Sequence, residues 1–281
     1  MKRIVIGLIV FAAAFLVGYY SILPLVMGIE RSEREIAEVP SQPAEAVVSL
    51  ETPESPQFCS LDGRAEYDPE TNAKKNTKVK LLWTGDFHSE DFPYKSGEKW
   101  LGLFKDVNGY ALRSTKIEVK KIRNPELFDI TVETQRKGNS LFMVRGKSDL
   151  REDSIPTVYD SEDGENGDSE LRLETRTFVF NGIRYDLSVE NIGKNEYLGN
   201  GSKLVLMAEG NRQILRYLKN GCNDCTWNLI WAGDLDLDGK LDLYMDLTDH
   251  YNVTDRMLFL SSPADTDKIV RFVASFRSVG C

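Results

Sequence analysis

The sequence predicts an all-β protein: a sandwich-like or barrel-like arrangement of antiparallel strands that follows an N-terminal apolar helix. From Cys59 onward, short segments rich in β-branched and aromatic residues follow one another. Turn signals such as Asn108-Gly109, Asn181-Gly182 and Asn220-Gly221 separate them. No long segment among them has the 3.6-residue period of an amphipathic helix. With 41% hydrophobic and 28% charged residues, the chain has the composition of an ordinary globular protein.

The predicted strands are short segments rich in β-branched and aromatic residues, and turn signals separate them. The segments lie at residues 79–83, 100–104, 116–120, 128–132, 141–144, 178–180, 203–207, 214–218, 227–231, 241–247, 257–260 and 269–273. Many short strands with regular turn signals are typical of β-sandwiches and barrels. We therefore expect one β-rich domain over residues 58–281, with two packed halves as one arrangement of it.

Residues 1–29 are predicted to form a signal anchor. Lys2-Arg3 precede an uncharged run from Ile4 to Ile29, which is long enough to cross a hydrocarbon core of about 30 Å as a helix. A cleaved secretory signal has a shorter apolar core of roughly 7–15 residues, and the only plausible late cleavage site is Val26-Met27-Gly28. We expect a transmembrane helix, with a cleaved signal and secretion as the alternative. In both cases the domain is periplasmic or extracellular.

Two segments account for the acidity of the chain, whose formal charge is −9. Residues 30–57 combine four prolines with seven glutamates and predict a flexible stalk. Between Asp149 and Glu170 there are nine acidic residues and one basic residue, which predicts a solvated loop that splits the β-rich domain. An acidic chain without a basic stripe makes nucleic acid an unlikely partner.

The strongest chemical signal is the segment from Asp234 to Asp242, whose pattern is D-x-D-x-D-G-x-x-D. Calcium takes six to eight oxygen ligands, and a tight loop presents carboxylates to it at alternate positions. The predicted calcium ligands are Asp234, Asp236, Asp238, the backbone carbonyl of Lys240, and Asp242. Gly239 permits the sharp turn. The alternative is a polar turn that binds nothing.

The loop differs from an EF-hand because Met245 stands where the closing glutamate would be, and because the flanking segments predict strands. Asp246 lies roughly 13 Å along the second strand from Asp242 and is not counted as a ligand. A calcium loop between two strands, closed by Asp242, resembles the loop of FG-GAP and VCBS-type repeats of integrin-like β-propellers. The resemblance covers residues 227–246 and implies the same five ligands. A propeller needs several such repeats, and the sequence has one.

The tail from residue 249 to Cys281 is similar to a group of uncharacterised bacterial proteins that share this ending, and that resemblance implies no activity. Four cysteines, at positions 59, 222, 225 and 281, sit in a chain expected to be exported. Structural disulfides are therefore favoured over a zinc site. Of the three possible connectivities, we favour Cys222–Cys225 with Cys59–Cys281.

The remaining candidates for chemistry are weak. His88 and His250 are the only histidines, and each is best explained by local hydrogen bonding in a turn. The four tryptophans, at positions 83, 100, 227 and 231, are assigned to the core rather than to a carbohydrate-stacking surface. The favoured function is a membrane-tethered calcium protein with a non-enzymatic binding or envelope-associated role, whose partner is an envelope protein or a glycan. The alternative is an exported hydrolase of polysaccharide or peptidoglycan with a structural calcium.

Overall fold

A computed structural model of the chain describes residues 78–123, 127–138, 140–161, 175–192, 198–218, 225, 227–249, 252–264 and 266–280. All of them belong to one compact unit that spans Pro53–Cys281. The predicted anchor helix at 1–29, the stalk at 30–57 and Cys59 lie outside the described residues. Within those residues, no helix is long and apolar enough to cross a membrane.

The described part of the chain is built from strands. They are β1 (Lys80–Leu82), β2 (Gly85–Phe87), β3 (Lys99–Asp106), β4 (Gly109–Lys121), β5 (Ile130–Thr134), β6 (Ser140–Arg145), β7 (Asp153–Ile155), β8 (Thr157–Asp160), β9 (Arg176–Phe180), β10 (Ile183–Glu190), β11 (Lys203–Ala208), β12 (Asn211–Tyr217), β13 (Trp227–Gly233), β14 (Asp242–Leu247), β15 (Val253–Leu260) and β16 (Arg271–Val279). The all-β class predicted from the sequence is confirmed.

The strands form three antiparallel sheets. The first has the order β1-β6-β3-β4-β5-β2, with β7 paired to β4. The second has the order β12-β11-β10-β9, and the third has the order β16-β15-β14-β13-β8. Most neighbours in a sheet are also neighbours in sequence, and short turns connect several of these pairs as hairpins. The Asn108-Gly109 and Asn181-Gly182 turns join β3 to β4 and β9 to β10, as predicted.

The third sheet lies between the other two. On one face, side chains such as Trp231, Tyr244 and Leu258 share a core with residues of the first sheet. On the other face, side chains such as Trp227 and Met245 share a second core with residues of the second sheet. A sheet covered on both faces has strands that are apolar almost throughout rather than alternating. Accordingly, five of the six residues of β14 are buried.

Every predicted strand overlaps an observed one, and four strands were missed: β2, β7, β8 and β10. β10 was missed although its apolar residues alternate with polar ones, which is a signal of a half-buried strand. β7 and β8 lie inside the acidic segment 149–170, which was expected to be a solvated loop. The part of this segment from 162 onward lies outside the described residues, and its role as a divider between two halves stays a prediction.

Candidate metal centre

The predicted calcium loop connects β13 to β14 at the end of their hairpin. Gly233 pairs with Asp242 in the register of the two strands, so the loop begins and ends at adjacent positions. Leu235 and Leu241 are buried, the first in the core shared with the first sheet and the second in the core shared with the second sheet. The leucines between the aspartates therefore anchor the loop to both cores.

The backbone of the loop turns at two residues with positive φ, Leu237 at 61° and Gly239 at 86°. Glycine adopts this conformation without strain, as the sequence analysis expected, whereas a leucine does so at a cost. The turn is held from inside by Asp234, whose carboxylate oxygens accept hydrogen bonds from the backbone N–H groups of Asp238 (3.0 Å) and Gly239 (2.9 Å). It is held from outside by Asn181, whose Nδ2 donates to the Gly239 carbonyl at 2.8 Å.

Three of the predicted ligands form a cluster. Asp234, Asp236 and Asp242 each bring a carboxylate oxygen to within 4.8 Å of the other two. Asp234 and Asp242 are buried and Asp236 is partly buried. Among the described residues, no lysine or arginine forms an ion pair with any of the three. Oxygens at this separation, facing one another without a paired cation, suit a shared metal ion.

Asp242 is the most enclosed of the three carboxylates. One of its oxygens accepts from the backbone N–H of Leu235 at 2.7 Å, and the other accepts from the backbone N–H of Ser261 at 2.8 Å and its hydroxyl at 3.0 Å. Burial nevertheless raises the pKa of Asp242 well above its ordinary value, and the neighbouring charge of Asp236 adds to the rise. The hydrogen bonds therefore orient this carboxylate without fully compensating its loss of hydration.

Asp236 has one oxygen engaged and one oxygen without a partner. Its Oδ2 accepts from the hydroxyl of Ser262, while its Oδ1 is buried and accepts no hydrogen bond from any described residue. Burial is the main cause of the raised pKa of Asp236 and also of Asp234. Lys147 opposes the rise at Asp236, but its ammonium group is paired with Asp149. A buried carboxylate oxygen without a donor is the position at which a cation would bind.

Asp238 and Lys240 stand beside this cluster. Both carboxylate oxygens of Asp238 lie 2.9 Å from the Ser261 hydroxyl, whose single proton Asp238 shares with Asp242, and one of them accepts from the backbone N–H of Lys240. Asp238 remains close enough for its charge to contribute to the raised pKa values of Asp234 and Asp236. Asp246, which was not counted as a ligand, accepts instead from Thr248 at 2.6 Å.

Sequence reasoning missed the two serines that meet the loop. Ser261 and Ser262 directly follow β15, a neighbour of β14 in the third sheet. Their hydroxyls contact three of the predicted ligands. The only available signal was a pair of hydroxyl residues directly after an apolar strand. That signal does not indicate a contact with the loop until the register of β14 with β15 is known.

The other residues singled out from the sequence lie in the core or pack against neighbouring side chains. All four tryptophans are buried. His88 packs against Phe128, with ring centroids 5.1 Å apart. Cys225 is buried and disulfide-bonded; the other three cysteines and His250 lie outside the described residues, so both disulfide pairings stay predictions.

Comparison with known proteins finds no family model, no curated protein and no solved structure that matches this chain.

Proposed function

We propose that the β13–β14 loop binds one calcium ion through Asp234, Asp236 and Asp242. The observation that carries this proposal is the buried Oδ1 of Asp236, which has no hydrogen-bond donor among the residues that the structure describes and belongs to the group of three carboxylates. Without a cation, three neighbouring carboxylates in a partly buried site would repel one another. The resemblance to FG-GAP and VCBS-type loops supports Asp238 and the Lys240 carbonyl as further ligands.

The chemistry of the donors favours calcium over the other common divalent ions. All the side chains in the loop that could bind are carboxylates, and within the described residues no histidine or cysteine lies among them. Oxygen-only ligand sets suit the hard cations calcium and magnesium rather than zinc or copper. Magnesium requires near-ideal octahedral geometry at about 2.0–2.1 Å, whereas calcium accepts irregular shells of six to eight oxygens. A loop with mixed side-chain and backbone donors fits calcium better.

The proposed role of the ion is structural. The loop contacts Ser261, directly after β15, and Asn181 in the β9–β10 turn, so a bound ion would stabilise the place where the second and third sheets meet. We further propose that the protein is exported and tethered by an N-terminal helix at 1–29. Its layered sheets would then form a sandwich-like or barrel-like, non-enzymatic module at the cell envelope. The apolar run from Ile4 to Ile29 supports the tether.

Calcium titration of the full chain in mild detergent tests the proposal. Calorimetry should detect one site, and saturating calcium should raise the melting temperature because it binds the folded state alone. Asp236→Asn preserves the shape of the side chain and its contact with Ser262 but removes the charge. This variant should melt at or above the temperature of the wild type without calcium, and it should lose most of the calcium-induced increase.

The matched control is Asp267→Asn, which neutralises an exposed aspartate in the turn before β16. It should keep the calcium response of the wild type. Magnesium at the same concentration should stabilise the protein less than calcium does. A wild-type protein that neither binds calcium at millimolar concentration nor gains stability from it would overturn the proposal.

A further inference from the structure

A second site lies where the first and third sheets face each other, away from the metal loop. It is a cavity of about 420 Å³, within the range of small-molecule sites. Its walls include Lys105 and Tyr110 from the first sheet and Asn228, Asp246 and Arg256 from the third. Asn228 pairs with Asp246 toward the end of the β13–β14 hairpin that is opposite the loop. The cavity and the loop are therefore separate sites.

The walls of this cavity are polar, although the surrounding interface between the sheets is apolar. Polar side chains between packed sheets are costly unless they are satisfied. The acidic side chain on the walls is Asp246, whose Oδ1 accepts from Thr248 at 2.6 Å and from the backbone N–H of Asp255 at 3.3 Å. The wall residues Lys105 and Tyr110 donate to Asp160 at 2.7 Å and 2.5 Å.

Arg256, in contrast, has few acceptors. Its guanidinium group lies 4.5 Å from the centre of the Trp83 ring. Its Nη1 donates one long hydrogen bond of 3.4 Å to the hydroxyl of Tyr244. Its Nε is 4.0 Å from Asp246 and donates no hydrogen bond among the described residues. Ser140, also on the cavity wall, is 4% exposed, and its hydroxyl has no partner in the described part of the chain.

Arg256 and Ser140 therefore carry donor groups without an acceptor in the described part of the chain, and a bound molecule would supply the acceptors. A carboxylate is the acceptor that matches the planar fork of a guanidinium group. The Trp83 ring fixes one face of this guanidinium by a cation–π contact, which leaves its edge to bind. Hydroxyl and amide groups at Ser140, Ser161 and Asn228 suit a guest that carries hydroxyl groups as well.

We propose that this cavity binds a small hydroxylated carboxylate, of the chemical class of sugar acids, with Arg256 holding the carboxylate. The site is independent of the proposed calcium loop, because its lining residues include none of the predicted metal ligands. The calcium titration and the carboxylate titration report on different residues, so either proposal can fail while the other stands.

The test is titration calorimetry of the full chain in mild detergent with D-glucuronate, and with D-glucose as the uncharged analogue of similar size. D-Glucuronate should bind at millimolar concentration or better, and D-glucose should not bind. Arg256→Gln should weaken D-glucuronate binding at least about tenfold, because it removes a charge-assisted bidentate contact. Arg271→Gln, which changes an exposed arginine on β16, should bind as the wild type does.

Arg256→Lys provides a second variant in case Arg256→Gln does not fold. It keeps the charge but lacks the fork, and it should also bind D-glucuronate more weakly than the wild type. Three results would each overturn the proposal: no binding of D-glucuronate by the wild type, equal binding of D-glucose, or undiminished binding by folded Arg256 variants.

Discussion

At the scale of single residues, backbone amides and hydroxyls rather than cations hold the aspartates of the loop. Asp234 accepts from two backbone N–H groups, and Asp242 accepts from two more and from the Ser261 hydroxyl. These contacts fix the carboxylates before any ion binds. Groups that orient ligands in this way contribute to metal affinity without touching the metal. Ser261 has this role most directly, because its hydroxyl contacts both Asp238 and Asp242.

Ser261→Ala should therefore weaken calcium binding by about tenfold and reduce the free energy of unfolding of the metal-free chain by about 1 kcal/mol. The first effect arises because two carboxylates lose the donor that orients them. The second arises because a buried hydrogen-bonding group is lost. Calorimetry measures the affinity, and urea denaturation measures the stability.

Ser278→Ala is the matched control, since Ser278 is another buried serine of the third sheet, 7% exposed and on β16. It should leave the affinity for calcium unchanged. If Ser261→Ala binds calcium as tightly as the wild type does, the serine contributes packing alone and the proposed orienting role is wrong.

At the scale of elements, the hairpin of β13 and β14 is positioned by a close contact with the segment before β8. The backbone N–H of Asp234 donates to the Pro156 carbonyl at 2.9 Å. A Cβ atom on Gly233 would lie 2.4 Å from that same carbonyl oxygen and 2.4 Å from the Trp231 ring. Gly233 is thus required for a close approach, and this approach brings the first ligand of the loop into place.

Gly233→Ala should reduce the free energy of unfolding by about 2 kcal/mol, because both neighbours are rigid and must move apart. It should also weaken calcium binding, since the displaced strand begins the loop. Urea denaturation and calorimetry check the two effects. The control is Gly210→Ala, whose Cβ would meet no atom within 4 Å but whose φ is +80°. It should cost stability through its backbone conformation alone and keep its calcium affinity. Wild-type calcium affinity in Gly233→Ala would contradict the positional argument.

The same hairpin shows which features the sequence can predict. The spacing of Asp234, Asp236 and Asp242 is local, so the pattern predicted that they converge, and the apolar flanks predicted both strands. The contacts from Ser261 and Asn181 are not local. They depend on the pairing of β14 with β15 and on the packing of the second sheet beside the loop, and no short pattern encodes either. The cavity beside Arg256 was missed for the same reason, because six separate strands and their connections contribute its walls.

In the molecule as a whole, the third sheet is the central layer, because it contributes side chains to both cores. Its central strands are apolar on both sides, and the few ionic groups at its border are correspondingly enclosed. Asp249 lies just beyond β14, and its side chain is 3% exposed. It contacts Arg277 of β16 at 2.9 Å and Arg216 of β12 at 3.5 Å. This carboxylate therefore joins the second sheet to the third by way of two arginines.

Asp249→Asn should reduce the free energy of unfolding by about 3 kcal/mol, because it removes the charge that both arginines contact in a site with little water. The neutral side chain has nearly the same volume, so the loss reports electrostatics rather than packing. The control is Asp186→Asn on β10, which removes a partner of the exposed Arg184. It should change stability far less, because water and salt screen an exposed pair. Urea denaturation of both variants decides the question. Equal, small losses would mean that the arginines find other partners and that apolar burial alone joins the two sheets. A large loss of unfolding free energy in Asp249→Asn alone would show that its contacts with Arg216 and Arg277 connect the second and third sheets.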